Sequence, residues 1–409
     1  MGALMPLNVG ARFRWLNRPD TSTSPHPPFW NRMPQRHIVS HTGLRGIAAL
    51  LVVCYHLQHG IGFRFAFERA TPFFERGYLW VDLFFILSGF IISYTSAADR
   101  ATGFTARESR RFIGARIARV YPLHIFVLAY LVLFAIALQI GEAVLGRPLA
   151  ADPWQPESVK TLLLSIPLLH AWDFGQKAGW NIPSWSISAE MFAYLLFPLL
   201  VAAHVHARRL TRAALLAGAI AFYLWVGQSA GGLDIIVGLA PLRCLAGFAL
   251  GMLIFYAREP LGRLPDGPLA VLQLGAAAAI IAGLALPWPD LALIPPFALL
   301  VATTWRDKGP LVPLLTLRPV RFLGEISYSV YMNHVGLIAI LAFFWTSAEA
   351  HVAAPAALLR ILWIALVLGT TLLFSTATYR YIEQPARRWL AQRLAGRAPR
   401  VPDAVPVAP

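Results

Sequence analysis

Apolar residues in this 409-residue chain come in long blocks. Ten of them, about 44–60, 79–96, 117–139, 185–203, 212–228, 237–256, 269–286, 290–305, 323–345 and 358–378, run for 16 to 23 residues, close to the length at which an α-helix crosses a bilayer core. The pattern predicts an all-α polytopic membrane protein of about ten transmembrane helices. It also predicts one membrane domain over 41–385, with cytoplasmic tails at 1–40 and 386–409. One further apolar stretch, TLLLSIPLLHAW (161–172), is too short to cross and reads as an interfacial or re-entrant piece.

Basic residues give an independent test of this topology, because Lys and Arg collect on the cytoplasmic side. With the N-terminus inside, the inner segments hold 26 of the 35, the outer loops six (Arg64, Arg69, Arg76, Arg147, Lys160, Lys177) and the spans three (Arg45, Arg243, Arg360). Both termini are therefore expected in the cytoplasm. The first forty residues lack an apolar core of the kind a cleavable signal peptide needs, so the first span is the expected insertion signal.

Composition agrees, with 57% hydrophobic and only 13% charged residues. The net charge of +15 follows topology and would face anionic lipid headgroups, whereas a nucleic-acid binder would cluster it on a soluble face. Cys54 and Cys244 both lie in apolar blocks, so no disulfide framework is implied. The pair His204-Val-His206 has no further ligands near it in sequence, and no metal site is expected.

Ionisable groups inside apolar blocks are costly and usually face a cavity or a partner. In LRGIAALLVVCYH, Arg45 and His56 stand eleven residues apart, so they share one helix face about 16 Å apart in depth. His41 and His59 fall near the same stripe. Span 2 carries Asp82 near its outer edge and a small Ser88-Gly89 pair. Span 3 opens RFIGARIARVYPLH, with Arg116, Arg119, Tyr121 and His124, and Arg110 and Arg111 just ahead. Ser186 and Glu190 share a face of span 4. Ser327, Tyr331 and His334 share one of span 9, and YRYIEQPARR, with Glu383, follows span 10. Each can be an interface anchor or a cap, but several polar stripes together describe the lining of a site. Acyl transfer from a thioester to a hydroxyl needs such a set: a base or acyl carrier, and cations for a carrier's phosphates. His56 suits the first role.

Taken in order, Arg-x10-His, VDLFFILSGF, RIARVYPL, WSISAE, SYSVYMNH and YIEQPAR resemble the acyltransferase-3 family over about residues 40–390, in its stand-alone form. Thr42 stands where relatives often carry Asp. The resemblance implies a membrane O-acyltransferase of the bacterial inner membrane. It would take an acyl group, with acetyl the expected one, from cytoplasmic acyl-CoA to a hydroxyl of a surface glycan or lipid-linked saccharide. His56 and Arg45 would be catalytic, with Glu190 and His334 in supporting or proton-relay roles. Arg116, Arg119 and Tyr121 would hold the donor, with Arg110 and Arg111 beside them, and Glu383 would belong to a cytoplasmic structural cap. A rival reading is a transporter or flippase of a lipid-linked sugar, which predicts pseudo-symmetric halves. None is visible in the sequence.

Overall fold

The computed structural model describes residues 37–59, 71–96, 101–146, 149, 159–174, 179–229, 231–349 and 355–394. The expected N-terminal tail up to residue 36, the loop cations Arg64, Arg69, Arg147 and Lys177, and the end of the C-terminal tail beyond residue 394 lie outside them, as does the His59 side chain.

The described chain is helical: α1 Val39–His59, α2 Trp80–Thr95, α3 Ala106–Leu145, α4 Val159–Ser165, α5 Ser184–His206, α6 Arg208–Ser229, α7 Ala240–Tyr256, α8 Arg258–Leu261, α9 Asp266–Ala285, α10 Ile294–Thr304, α11 Val312–Leu315, α12 Arg318–Glu325, α13 Ser327–Glu349, α14 Ala356–Thr378 and α15 Gln384–Leu394. Every expected span coincides with one of these helices. Seven helical stretches are long and apolar enough to cross a membrane, and α7 and the Asp290–Thr304 segment are shorter apolar helices. This is an all-α polytopic membrane protein.

The helix ends depart from the hydropathy boundaries for local reasons. A capping box formed by Thr105 and Glu108 starts α3 at Ala106, eleven residues before the apolar run begins. At 40 residues the helix is about 60 Å long, twice a bilayer core. Arg116 and Arg119 thus sit about three turns inside a helix, where the hydropathy boundary put them at its start. α1 starts at Val39 because a distant residue caps it: the Asp307 carboxylate accepts from the Ser40 N–H at 2.8 Å and the Val39 N–H at 3.4 Å. The predicted ninth span is broken at Ile326 into α12 and α13. After α14 the chain passes through a π-helical turn, Tyr379–Glu383, into α15, so part of the stretch assigned to a tail continues as helix.

The stretch 161–172 is two-sided: Leu163, Ile166 and Leu169 are exposed, while its other face packs into the fold. Leu168, His170 and Ala171 are enclosed, and Ser188 on α5 holds the backbone, accepting from the Ala171 N–H and donating to the Leu168 carbonyl. His124 on α3 bonds the Ser165 carbonyl at 2.8 Å. These contacts hold one face of the stretch against α3 and α5 and are compatible with either an interfacial or a re-entrant piece.

Two close helix contacts set the frame. Gly324 of α12 meets α1 backbone to backbone, and a Cβ there would overlap the Thr42 carbonyl. Gly89 of α2 meets α7 likewise at the Phe248 carbonyl.

Candidate active site

α1 and α13 run side by side in the same direction from a shared level. Arg45 donates from Nη2 to the Gly324 carbonyl at 3.3 Å, which ties the start of α1 to the end of α12. From there His56 lies eleven residues along α1 and His334 ten along the other strand of this pair. At 1.5 Å per residue both climb about 15–16 Å, so the two imidazoles arrive together. Their ring centroids are 4.8 Å apart, and His334 Nε2 is 3.1 Å from His56 Nδ1.

The surrounding carbonyls decide the protons. His334 Nδ1 lies 2.7 Å from the Tyr331 carbonyl and 3.2 Å from that of Val330, so in the neutral ring Nδ1–H donates and Nε2 carries the lone pair. His56 Nδ1, 3.0 Å from the Val52 carbonyl, must then be the protonated nitrogen, shared between that carbonyl and His334 Nε2. His56 Nε2 is left as the basic atom of the pair. His334 is fully buried and His56 half-buried, so the second ring orients the first.

Below the pair, on the side of Arg45, is a cavity of about 160 Å³. Arg45, Arg116, Arg119 and Glu190 line it, with Ser88, Tyr194, Ser186 and Tyr331. Tyr331 joins cavity and histidines: its hydroxyl bonds Ser186 Oγ at 2.8 Å and its ring lies 5.9 Å from that of His334. Glu190 is hydrogen-bonded by Ser88 and Tyr194. The buried Nε groups of Arg45 and Arg116 have no hydrogen-bond partner among the described residues. Two guanidinium groups with unmatched Nε donors thus line the cavity together with the Glu190 carboxylate.

Arg119 is also a cavity residue, but it is paired. Its Nη1 donates to Glu383 at 2.8 Å, and Glu383 accepts from Ser329 Oγ at 2.7 Å. Glu383 is buried and joins the π-helical turn to α3 and α13. Arg387, in the first turn of α15, adds a further positive charge at the same end. The residue is exposed, yet partial desolvation first, and then the charges of Arg119 and Arg116, push its guanidinium down to about 10. Like charges are crowded here.

Three donor-site candidates fall elsewhere. Tyr121 donates its hydroxyl to the Ile166 carbonyl of the re-entrant segment, Arg110 is exposed, Arg111 is half-exposed, and none lines the cavity. His41 is buried against α10, with Nε2 3.0 Å from the Val301 carbonyl, and does not line the cavity. His204 stacks on Tyr256 at 3.8 Å, and no group of three or more potential metal ligands occurs among the described residues.

Tyr194 and Arg387 were not singled out from sequence. A tyrosine in an apolar span carries no charge to flag it, and Arg387 is one of six basic residues after the last span. The interior pair Asp82–Arg243 was more legible. Two opposite charges in two spans must either meet or face water, and these meet, with Nη2 at 2.7 Å and Nε at 3.1 Å from the carboxylate oxygens.

A family model described as an acyltransferase domain matches residues 39–380. The exopolysaccharide production protein ExoZ of Rhizobium meliloti (strain 1021) is 28% identical over 347 residues, covering 81% of this chain and 98% of its own length. The acyltransferase MdmB of Streptomyces mycarofaciens is 30% identical over 42% of this chain, a match that spans 40% of that protein. The peptidoglycan O-acetyltransferase OatA of Listeria monocytogenes is 22% identical over 87% of this chain and 57% of its own length. No solved structure matches.

Proposed function

This chain belongs to the acyltransferase-3 family, and from that premise we propose that it moves an acyl group, acetyl in the simplest case, from cytoplasmic acyl-CoA to a hydroxyl of a glycan presented at the bacterial inner membrane. The named relatives that act on exopolysaccharide and peptidoglycan motivate the acceptor class. The observation that carries the reading is the arrangement along α1, with the arginine-lined cavity at one end, a histidine pair at the other, and Tyr331 joining the two.

Size and reach support the donor. A cavity near 150 Å³ holds about one benzene-sized group, so this one has room for part of a pantetheine arm. The arm has about a dozen backbone bonds and, at the ~1.2 Å per bond of an extended chain, reaches about 15 Å. That is close to the ~16 Å rise from Arg45 to His56. Phosphates held near Arg45, Arg116 and Arg387 would therefore deliver the thioester to the histidines.

In the proposed step the acceptor hydroxyl oxygen attacks the thioester carbonyl carbon while its proton passes to His56 Nε2. His334 Nε2, accepting from His56 Nδ1–H, steadies the imidazolium. The C–S bond then breaks, and the departing thiolate takes the proton from His56. Ester and free CoA are the products, and the base is regenerated. Purified protein in proteoliposomes, given radiolabelled acetyl-CoA and deacetylated exopolysaccharide, should acylate the polymer. His56→Gln should lower the rate by about 10²–10⁴-fold, the usual cost of losing a general base. Near-normal turnover by that variant would remove His56 from the mechanism.

A further inference from the structure

The far side of His56 is as specifically built as the cavity side, though no residue there enters the chemistry above. Tyr55 lies edge-on to His56, with centroids 4.8 Å apart, and to Tyr78 at 5.9 Å. Beside these rings runs the connection between α6 and α7, and it is pinned on both sides of one residue. Leu233 N–H donates to Asp290 at 2.7 Å, and Arg243 Nη1 donates to the Ile235 carbonyl at 3.2 Å. Both anchors belong to ion pairs: Asp290 is held by Arg76 and by the Tyr78 hydroxyl, and Arg243 by Asp82. Between them Asp234 is exposed, and no hydrogen bond or ion pair engages it among the described residues. The Asp290 carboxylate that takes the Leu233 N–H also takes the Tyr78 hydroxyl, so Asp234 directly follows a residue held by a carboxylate shared with Tyr78, whose ring abuts that of Tyr55.

We propose that Tyr55 and Asp234 form the acceptor subsite, an aromatic face and a fixed carboxylate that hold an uncharged sugar ring beside His56. This assignment rests on the acyl-transfer reading for its purpose but not for its binding. A pyranose offers an apolar C–H face to an aromatic side chain and a rim of hydroxyl donors to a carboxylate, whose charge-assisted hydrogen bonds are the stronger kind. The same carboxylate repels polyanions, so the subsite selects neutral glycans. A loop anchored at Leu233 and Ile235 holds the Asp234 backbone in place, so only the short side chain is left to order on binding.

The test is equilibrium binding to the full chain in nanodiscs, without donor, using cellotetraose as a neutral probe and tetragalacturonate as an anionic one. Wild type should bind cellotetraose and prefer it to tetragalacturonate. Asp234→Asn, at an exposed position, should keep the wild-type Tm and bind cellotetraose at least tenfold more weakly, as expected for loss of a charged hydrogen-bond acceptor. Tyr55→Leu should weaken it comparably. Absence of cellotetraose binding, equal affinity in Asp234→Asn, or preference for the anionic probe would overturn the subsite. If binding follows the pattern but the wild type consumes no acetyl-CoA, the subsite stands and the acyl-transfer reading fails.

Discussion

Two sets of interior arginines, Arg243 fully buried and Arg45 and Arg116 half-buried, have opposite surroundings. Arg243 has every nitrogen engaged: Nε and Nη2 on Asp82, Nη2 also on the Tyr78 carbonyl, Nη1 on the Ile235 carbonyl, and its guanidinium 5.2 Å from the Trp185 ring centre. Arg45 donates to the Gly324 carbonyl and Arg116 lies over the Phe112 ring at 5.5 Å, both line a cavity shared with Glu190, and their buried Nε groups have no hydrogen-bond partner among the described residues. A satisfied buried charge fixes structure. An unsatisfied one beside a cavity is a cost that folding alone does not recover, and its natural compensation is an anionic ligand.

The comparison breaks most sharply at Asp82. Asp82→Ala leaves Arg243 charged and alone in the interior, and loss of one partner from a buried pair typically costs about 3–5 kcal/mol. The variant should fail to accumulate or should melt far below wild type in a detergent thermal-shift assay. Asp82→Leu combined with Arg243→Leu should recover much of that loss, since neither charge is then stranded. A single variant as stable as wild type would mean that the pair is not structural.

Arg116→Ala should do the reverse. With no hydrogen-bond partner to strand, the ligand-free protein should keep its Tm, while acyl-CoA affinity drops by about 1.5–3 kcal/mol, or roughly ten- to a hundredfold. Lys at this position should restore only part, because it lacks the planar fork. Binding by microcalorimetry reads this directly, and unchanged donor affinity would place Arg116 with the topological charges.

Arg387 sharpens the contrast with a smaller effect. Its lowered pKa means that the folded protein disfavours the charged form, although the group stays protonated at neutral pH. Stability is therefore reduced below the folded pKa near 10 and recovers only as pH rises through it. Arg387→Gln should slightly raise the Tm of the ligand-free protein at pH 7, by less than about 1 kcal/mol in stability, and weaken donor binding a few-fold. Both effects should fade in 1 M salt, where the Debye length is about 3 Å. A lowered Tm would show that Arg387 is held by contacts rather than strained by neighbours.

The hydrophobic blocks determined the helices, because in lipid a backbone must satisfy its hydrogen bonds within one segment, which leaves the sequence little choice once its apolar lengths are set. The same logic marked Arg45, Asp82, His56, Glu190, Arg243 and His334, since a polar group at such depth needs a reason. Helix periodicity alone put Arg45 and His56 on one face. What periodicity could not decide was which faces meet. His41 shares a stripe with Arg45 yet packs on α10, Tyr121 follows the RxxR pair yet turns to the re-entrant segment, and Glu383, 264 residues beyond Arg119, closes an ion pair with it. These pairings depend on helix rotation and on glycine-permitted contacts between segments far apart in the chain. Only the tertiary structure brings His334 to His56, and with it the hydrogen bond that selects which His56 nitrogen carries the lone pair.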